Sequence, residues 1–177
     1  MSAEAPRQSV PGTLDIWRQV TARRGLEGRV PLASLKRLSS LLADPEGDVT
    51  FSLDFDRDKL GVAYVEIRAE ARLPLVCQRT LERFFLPVRI DQRMGLIRDE
   101  AEESALPPGY EALLVDESGE MGTLDIVEDE LILAVPVVPV MPGTDTVDAE
   151  WGAGEAPEAA ERPNPFAALA ALKNKPE

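Results

Sequence analysis

The sequence predicts an α+β fold, an antiparallel β-meander of about four to six strands with a few packed helices. Two patterns carry this reading. From Ala63 through Val65, Ile67, Ala69, Ala71, Leu73 and Leu75 to Cys77, every odd position is apolar or small, while Glu66, Arg68, Glu70 and Arg72 hold even ones. This period of two marks a long strand buried on one face. After Gln78, Arg79 and Thr80 the alternation resumes in opposite phase, with Phe84, Leu86, Val88 and Ile90 set against Arg83, Arg89 and Asp91. The two runs form an antiparallel hairpin with Cys77 at its tip. Between Thr123 and Val135 the period lengthens: Leu124, Val127, Leu131 and Ala134 fall on one face, with Ile126 and Val135 beside them, which specifies a helix.

Residues 1–12 are polar and proline-containing and form a flexible N-terminus. The domain proper runs over 13–142. Thr13 to Val20 alternates loosely and reads as a strand, and Thr21 to Gly28, with Arg23, Arg24, Gly25 and Gly28, reads as a basic turn. Pro31 opens a helix to about Leu42, with Leu32, Leu35, Leu38, Leu41 and Leu42 as its core face and Lys36 and Arg37 opposite. Asp44 to Gly47 ends it. Val49, Phe51, Leu53 and Phe55 alternate with Thr50, Ser52 and Asp54 in a half-buried strand that Asp56 to Lys59 turns into the hairpin.

Pro74 and Pro87 lack the N–H that a ladder needs, so each requires a bulge or an open side. An acid-rich, proline-containing loop, Arg98 to Gly109, leads to a short strand over Tyr110 to Val115, followed by a turn at Asp116 to Gly119. In the helix that follows, Asp125 and Glu128 have the spacing of a capping box, and the acids of its early turns suit the macrodipole, giving a capped and solvated face. Pro136 stops this helix and the segment to Pro142 runs extended. Residues 143–162 contain six acids and one arginine with no aliphatic period, an acidic disordered linker. Residues 163–177 form a short C-terminal helix and tail, with Asn164 as N-cap, Pro165 at the first position, and Phe166, Leu169 and Leu172 as a candidate docking face.

Composition removes whole classes of chemistry. One cysteine and no histidine among 177 residues leave no disulfide framework, no tetrahedral zinc site and no histidine general base. Cys77 is a structural cysteine at a strand end, and no phosphate loop or nucleophile elbow occurs, so neither an enzyme nor a cofactor or small-molecule substrate is expected. No run reaches the roughly 18 apolar residues of a membrane span, and the chain is expected to be soluble and cytoplasmic.

A net charge of −13 opposes non-specific binding of polyanions by the chain as a whole. The charge is uneven, however. Residues 1–43 carry seven Lys and Arg against three acids, whereas residues 98–162 carry two against eighteen. Two arginine clusters stand out as candidate RNA or partner contacts: Arg18, Arg23, Arg24 and Arg29, then Arg79 and Arg83 with Arg89 and Arg93 beyond them. Few aromatics lie near these arginines, which argues against base-specific readout of single-stranded RNA.

Four motifs occur together in order: Cys77-Gln78-Arg79 closing the long strand, Val127-Glu128-Asp129-Glu130-Leu131-Ile132-Leu133-Ala134, Pro136-Val137-Val138-Pro139, and Pro163-Asn164-Pro165-Phe166. Across nearly the whole chain this arrangement resembles the YceD family of bacteria and plastids. The resemblance implies a non-enzymatic ribosome-biogenesis factor that supports the synthesis, processing or accumulation of large-subunit (23S) ribosomal RNA. Its partner would be ribosomal RNA or a large-subunit assembly intermediate. The chain departs from the family pattern at Thr80, where relatives often carry a second cysteine, and at Met141, where they often carry a histidine. The alternative is a protein-binding adaptor that uses the acidic segment and terminal helix to engage a basic ribosomal or RNA-processing protein.

Overall fold

The computed structural model describes residues 10–143. Of the segments expected from sequence, the N-terminus (1–12) up to residue 9, the acidic linker (143–162) from residue 144, and the candidate docking helix of Phe166, Leu169 and Leu172 lie outside these residues. The described chain builds a five-stranded sheet in the order β2-β3-β4-β5-β6, with a separate two-stranded ribbon, β1-β7. The strands are β1 (Thr13–Asp15), β2 (Gly25–Pro31), β3 (Asp48–Arg57), β4 (Ala63–Val76), β5 (Arg83–Ile97), β6 (Glu111–Leu114) and β7 (Glu120–Gly122). Three helices accompany them, α1 (Ile16–Ala22), α2 (Lys36–Ser39) and α3 (Thr123–Leu133).

The meander of β2 to β5 follows from the alternation. In β3 Val49, Phe51, Leu53 and Phe55 are buried, and in β4 Val65, Ile67, Ala69 and Leu73 share that face, all beneath helices. Register pairs Val49 with Ala71 and Phe55 with Val65, then Tyr64 with Gly95 through to Val76 with Arg83. Because the pleat has a period of two, this register sends every charged even residue of β4 to the opposite, solvent face. Both prolines sit where their strand has one partner only: β3 reaches β4 no further than Ala71, and β6 reaches β5 no earlier than Met94. On the open side of β4, the Pro74 carbonyl accepts the Ala43 N–H at 2.8 Å.

The structure corrects the N-terminal third. Thr13 to Val20 is not a single strand. Asp15 accepts the Arg18 N–H at 2.9 Å and caps α1, which buries Ile16 and Val20 one helical turn apart. Only Arg23 and Arg24 form the basic turn, Arg23 with φ 48°, and the residues from Gly25 to Pro31 are the edge strand β2. Gly28 is there for close approach: a Cβ would stand 2.8 Å from Val10 and 3.0 Å from Phe51.

The leucine-rich segment is a 3-10 turn, Leu32–Ser34, followed by the single-turn α2, because Leu35 (ψ 88°) breaks the helix between them. Leu32, Leu35 and Leu38 are buried as core residues, but Leu41 is 48% exposed and Leu42 only half-buried. Near the other end, β6 runs parallel to β5 rather than continuing the meander. The chain returns through the 3-10 turn Glu100–Ala105, so the acid-rich loop is ordered and works as a crossover. The β7 strand, too short to show a period, closes on β1 through Leu14 opposite Met121.

Candidate functional site

Two regions of the surface carry the charge, and they are built differently. On the solvent face of the sheet, arginines and acids from neighbouring strands interleave. Arg29 of β2 bonds Asp48 at 2.8 Å, and Arg68 of β4 reaches Glu66 at 2.9 Å, Asp54 at 3.5 Å and Asp91 at 3.7 Å. Arg89 of β5 approaches Glu70 at 3.6 Å, and Arg93 approaches Glu66 at 3.5 Å while its guanidinium lies over the Tyr64 ring. Arg83 donates to Asp44 and to Glu46, both at 2.6 Å, and holds the Asp44 carboxyl below the usual carboxylate range. Arg83 and Arg72 both stack over Phe85, at 4.4 and 4.9 Å from its centroid. These opposite-charge neighbours follow from the β3–β4–β5 register, which sets Glu66 beside Arg93, Arg68 beside Asp91 and Glu70 beside Arg89.

The arginines singled out from sequence divide accordingly. Arg23 pairs with Asp56 at 3.2 Å, and Arg29 and Arg83 are paired as above. Arg18 and Arg24 are exposed and join no ion pair among the described residues. Arg79 is exposed in the tip turn. The structure does not gather the six on one surface: Arg29 and Arg83 contribute to the sheet face together with Arg68 and Arg72, whose alternation with glutamates along β4 was the available signal.

Glu128 is the side chain that local spacing misassigns. It forms no capping box, since α3 begins after Gly122 without a side-chain cap. Its carboxylate instead crosses to α2, accepting the N–H groups of Arg37 at 2.7 Å and Leu38 at 3.0 Å as well as Arg37 Nε at 3.1 Å. A buried acid of one helix thus caps another that lacks its own N-cap side chain, and Arg37 also binds Asp129 at 2.6 Å. Nothing local signals this, because the partners are some ninety residues apart.

The hairpin tip brings together three positions that lie apart in sequence. Cys77 is fully buried, and its Sγ accepts the Met141 N–H at 3.4 Å and the Thr80 N–H at 3.5 Å. These donors, Met141 foremost, lower the thiol pKa to about 6 against the opposing effect of burial. The segment after α3 docks here, with Pro139 O accepting the Gln78 N–H at 2.9 Å. Thr80 and Met141 thus both donate backbone N–H groups to the Cys77 sulfur.

The second charged region is the β6 edge with the 3-10 turn beside it and α3 behind. Glu100, Glu103, Glu111 and Glu130 gather here, and none forms an ion pair among the described residues. Glu130 is only 8% exposed, and burial, then the neighbouring Glu111 and Asp129 carboxylates, raise its pKa.

Fold and charge pattern together define an α+β sheet protein with one self-neutralised face and one acidic edge. The family profile described as large ribosomal RNA subunit accumulation protein YceD matches residues 65–173, and the chain belongs to that family. It is 30% identical over 169 residues to the large ribosomal RNA subunit accumulation protein YceD of Haemophilus influenzae, an alignment covering 94% of this chain and 97% of that protein. No solved structure matches it.

Proposed function

We propose that this chain is a non-enzymatic ribosome-biogenesis factor that supports accumulation of large-subunit ribosomal RNA in the cytoplasm. The observation that carries the proposal is the alignment with a relative of that name along almost the full length of both chains. Among the described residues no group of three Cys, Asp or Glu side chains is placed to hold a metal ion, and no helix is long and apolar enough to cross a membrane.

Direct contact with RNA would fall first to Arg18 and Arg24, whose guanidinium groups join no ion pair among the described residues. Arg23, Arg29 and Arg83 would have to exchange a carboxylate for a phosphate, a low-cost step for exposed pairs worth about 0–1 kcal/mol. The test of the function is the ratio of large- to small-subunit ribosomal RNA in cells depleted of this protein, then resupplied with it. A ratio that falls and is restored supports the proposal; an unchanged ratio overturns it. In vitro, Arg18→Glu with Arg24→Glu should weaken association with ribosomal RNA and reduce its salt slope by about one unit per lost phosphate contact.

A further inference from the structure

Strand β6 ends the sheet, and its outer edge meets no strand among the described residues. The Val115 N–H bonds the Ile97 carbonyl at 2.8 Å, so by the alternation of a strand the N–H groups of Leu113 and Glu111 also face β5. Those of Ala112 and Leu114 face outward. Nothing within Glu111–Leu114 blocks the edge: there is no proline and no lysine, and Leu114 is 47% exposed. Such an edge is a template for another strand.

We infer that the open edge of β6 is a docking site for an extended, lysine- or arginine-bearing segment of a partner protein, which adds to the sheet as a further strand. The proposal goes beyond the ribosomal RNA reading and does not depend on it. Charge on both sides of the edge identifies the occupant. On the solvent side, a groove of about 700 Å³ runs between the 3-10 turn and β6, with Leu106, Pro107 and Leu114 as its apolar lining and Glu100 and Glu103 as its acids. Leu106 can lie flat against the sheet because position 95 is glycine; a Cβ there would collide with it. On the helix side stand Glu111, in register with the core residue Met94, and Glu130 of α3.

Glu130 gives the edge its second mark. The residue is 8% exposed and its side chain makes no hydrogen bond or ion pair among the described residues, while the negative charge of Glu111 acts on its carboxyl through space. Two like charges held close together disfavour each other's ionised form, and a cation placed beside these two acids would be attracted to both. The side chains of an added strand point alternately to the two faces, and acids wait on both. Basic residues would therefore pair on either face, with an apolar residue over Leu106 and Leu114. The same charge repels a second copy of this edge and repels nucleic acid.

The test uses the full-length protein with three probes: a synthetic peptide of about twelve residues alternating lysine with valine and threonine, the same peptide with glutamate for lysine, and an oligouridine RNA. Binding is followed by fluorescence anisotropy and by NMR shifts of the backbone amides. The lysine peptide is expected to bind and to shift Ala112 and Leu114. Ala112→Pro, which removes an outward N–H without touching the β5 ladder or the charge, should weaken binding by about tenfold or more. Glu103→Gln with Glu111→Gln should weaken it by about tenfold and flatten its salt dependence. Melting curves confirm that each variant is folded, and if Ala112→Pro is not, the charge variant and the shift pattern decide. No binding of the lysine peptide, equal affinity in the variants, or occupation of residues 111–114 by RNA or by a second copy would overturn the inference.

Discussion

The solvent face of the sheet and the edge at β6 differ in what their charges face. Across β2 to β5, Arg29, Arg68, Arg89 and Arg93 each meet an acid of an adjacent strand and Arg83 meets Asp44 and Glu46, so a surface crowded with ions projects little net field. At β6, Glu111 and Glu130 repel each other, Glu100 and Glu103 line the groove beside the strand, and none of the four joins an ion pair among the described residues. Two regions with similar numbers of glutamates therefore have opposite properties, and the difference lies in pairing. A count of basic clusters along the chain points to the first region as the interaction surface, whereas the three-dimensional pairing makes the second the one with charge to offer.

Two glutamates on α3 give the sharpest contrast. Glu128 is buried and bonded to two backbone N–H groups and a guanidinium, so Glu128→Ala should destabilise the protein by roughly 2–3 kcal/mol, below the full cost of a broken buried pair because Arg37 is half exposed. Denaturant melts of the variant measure this; a change under about 0.5 kcal/mol, the range of ordinary surface substitutions, would show that α2 needs no cap.

Glu130, two residues on, should behave in the opposite sense. Its folded pKa is raised by burial and by Glu111, so folding favours the protonated form and stability falls as pH rises from the unfolded carboxylate range through the folded pKa. Glu130→Gln should therefore raise the melting temperature at neutral pH and lose that advantage below about pH 4, where both chains carry a neutral group. If the gain persisted unchanged in acid, repacking rather than ionisation would be its source.

On the sheet face the expected effect is smaller. Arg68 touches three acids but is itself half exposed, and Arg68→Ala should change stability by less than about 1 kcal/mol. A loss well above that in low salt, shrinking in high salt, would mean that the lattice of pairs acts as a network rather than as isolated contacts.

The effect at Cys77 depends on pH. Its folded pKa of about 6 lies below the ordinary value of 9.0, so the thiolate's contribution to stability is present in full above pH 9 and is lost as pH falls toward 6. Cys77→Ala should flatten the rise in stability between those limits. Despite its thiolate character, the sulfur should react slowly with a bulky disulfide reagent, since it is fully buried.

The long strands were legible because their signal is local. Alternation runs through β3, through β4 as far as Leu73 and through the middle of β5, and the 3.6 period of α3 persists over three turns. The short elements were not. In Thr13 to Val20 the pair Leu14 and Ile16 imitates alternation, although Ile16 and Val20 are the i, i+4 pair of a capped helix. In β2 the glycines suggested a turn, although Gly28 is there to let Phe51 and Val10 approach. Of the candidate contacts, Arg29 and Arg83 were visible as basic residues, but their carboxylate partners, 19 and 39 residues away, were not.

By itself, then, the sequence determined which segments are strands and helices wherever they are long, which face of each is buried, and which chemistries are unavailable to a chain without histidine. Those properties depend on side chains two to four positions apart and on composition. Only the tertiary structure decided that β6 turns parallel to β5, that Glu128 caps a helix some ninety residues away, and which charges are cancelled and which stand unpaired. Pairing between distant residues depends on the path of the loops and the register of the sheet, and one residue of slip would send every ion on β4 into the core.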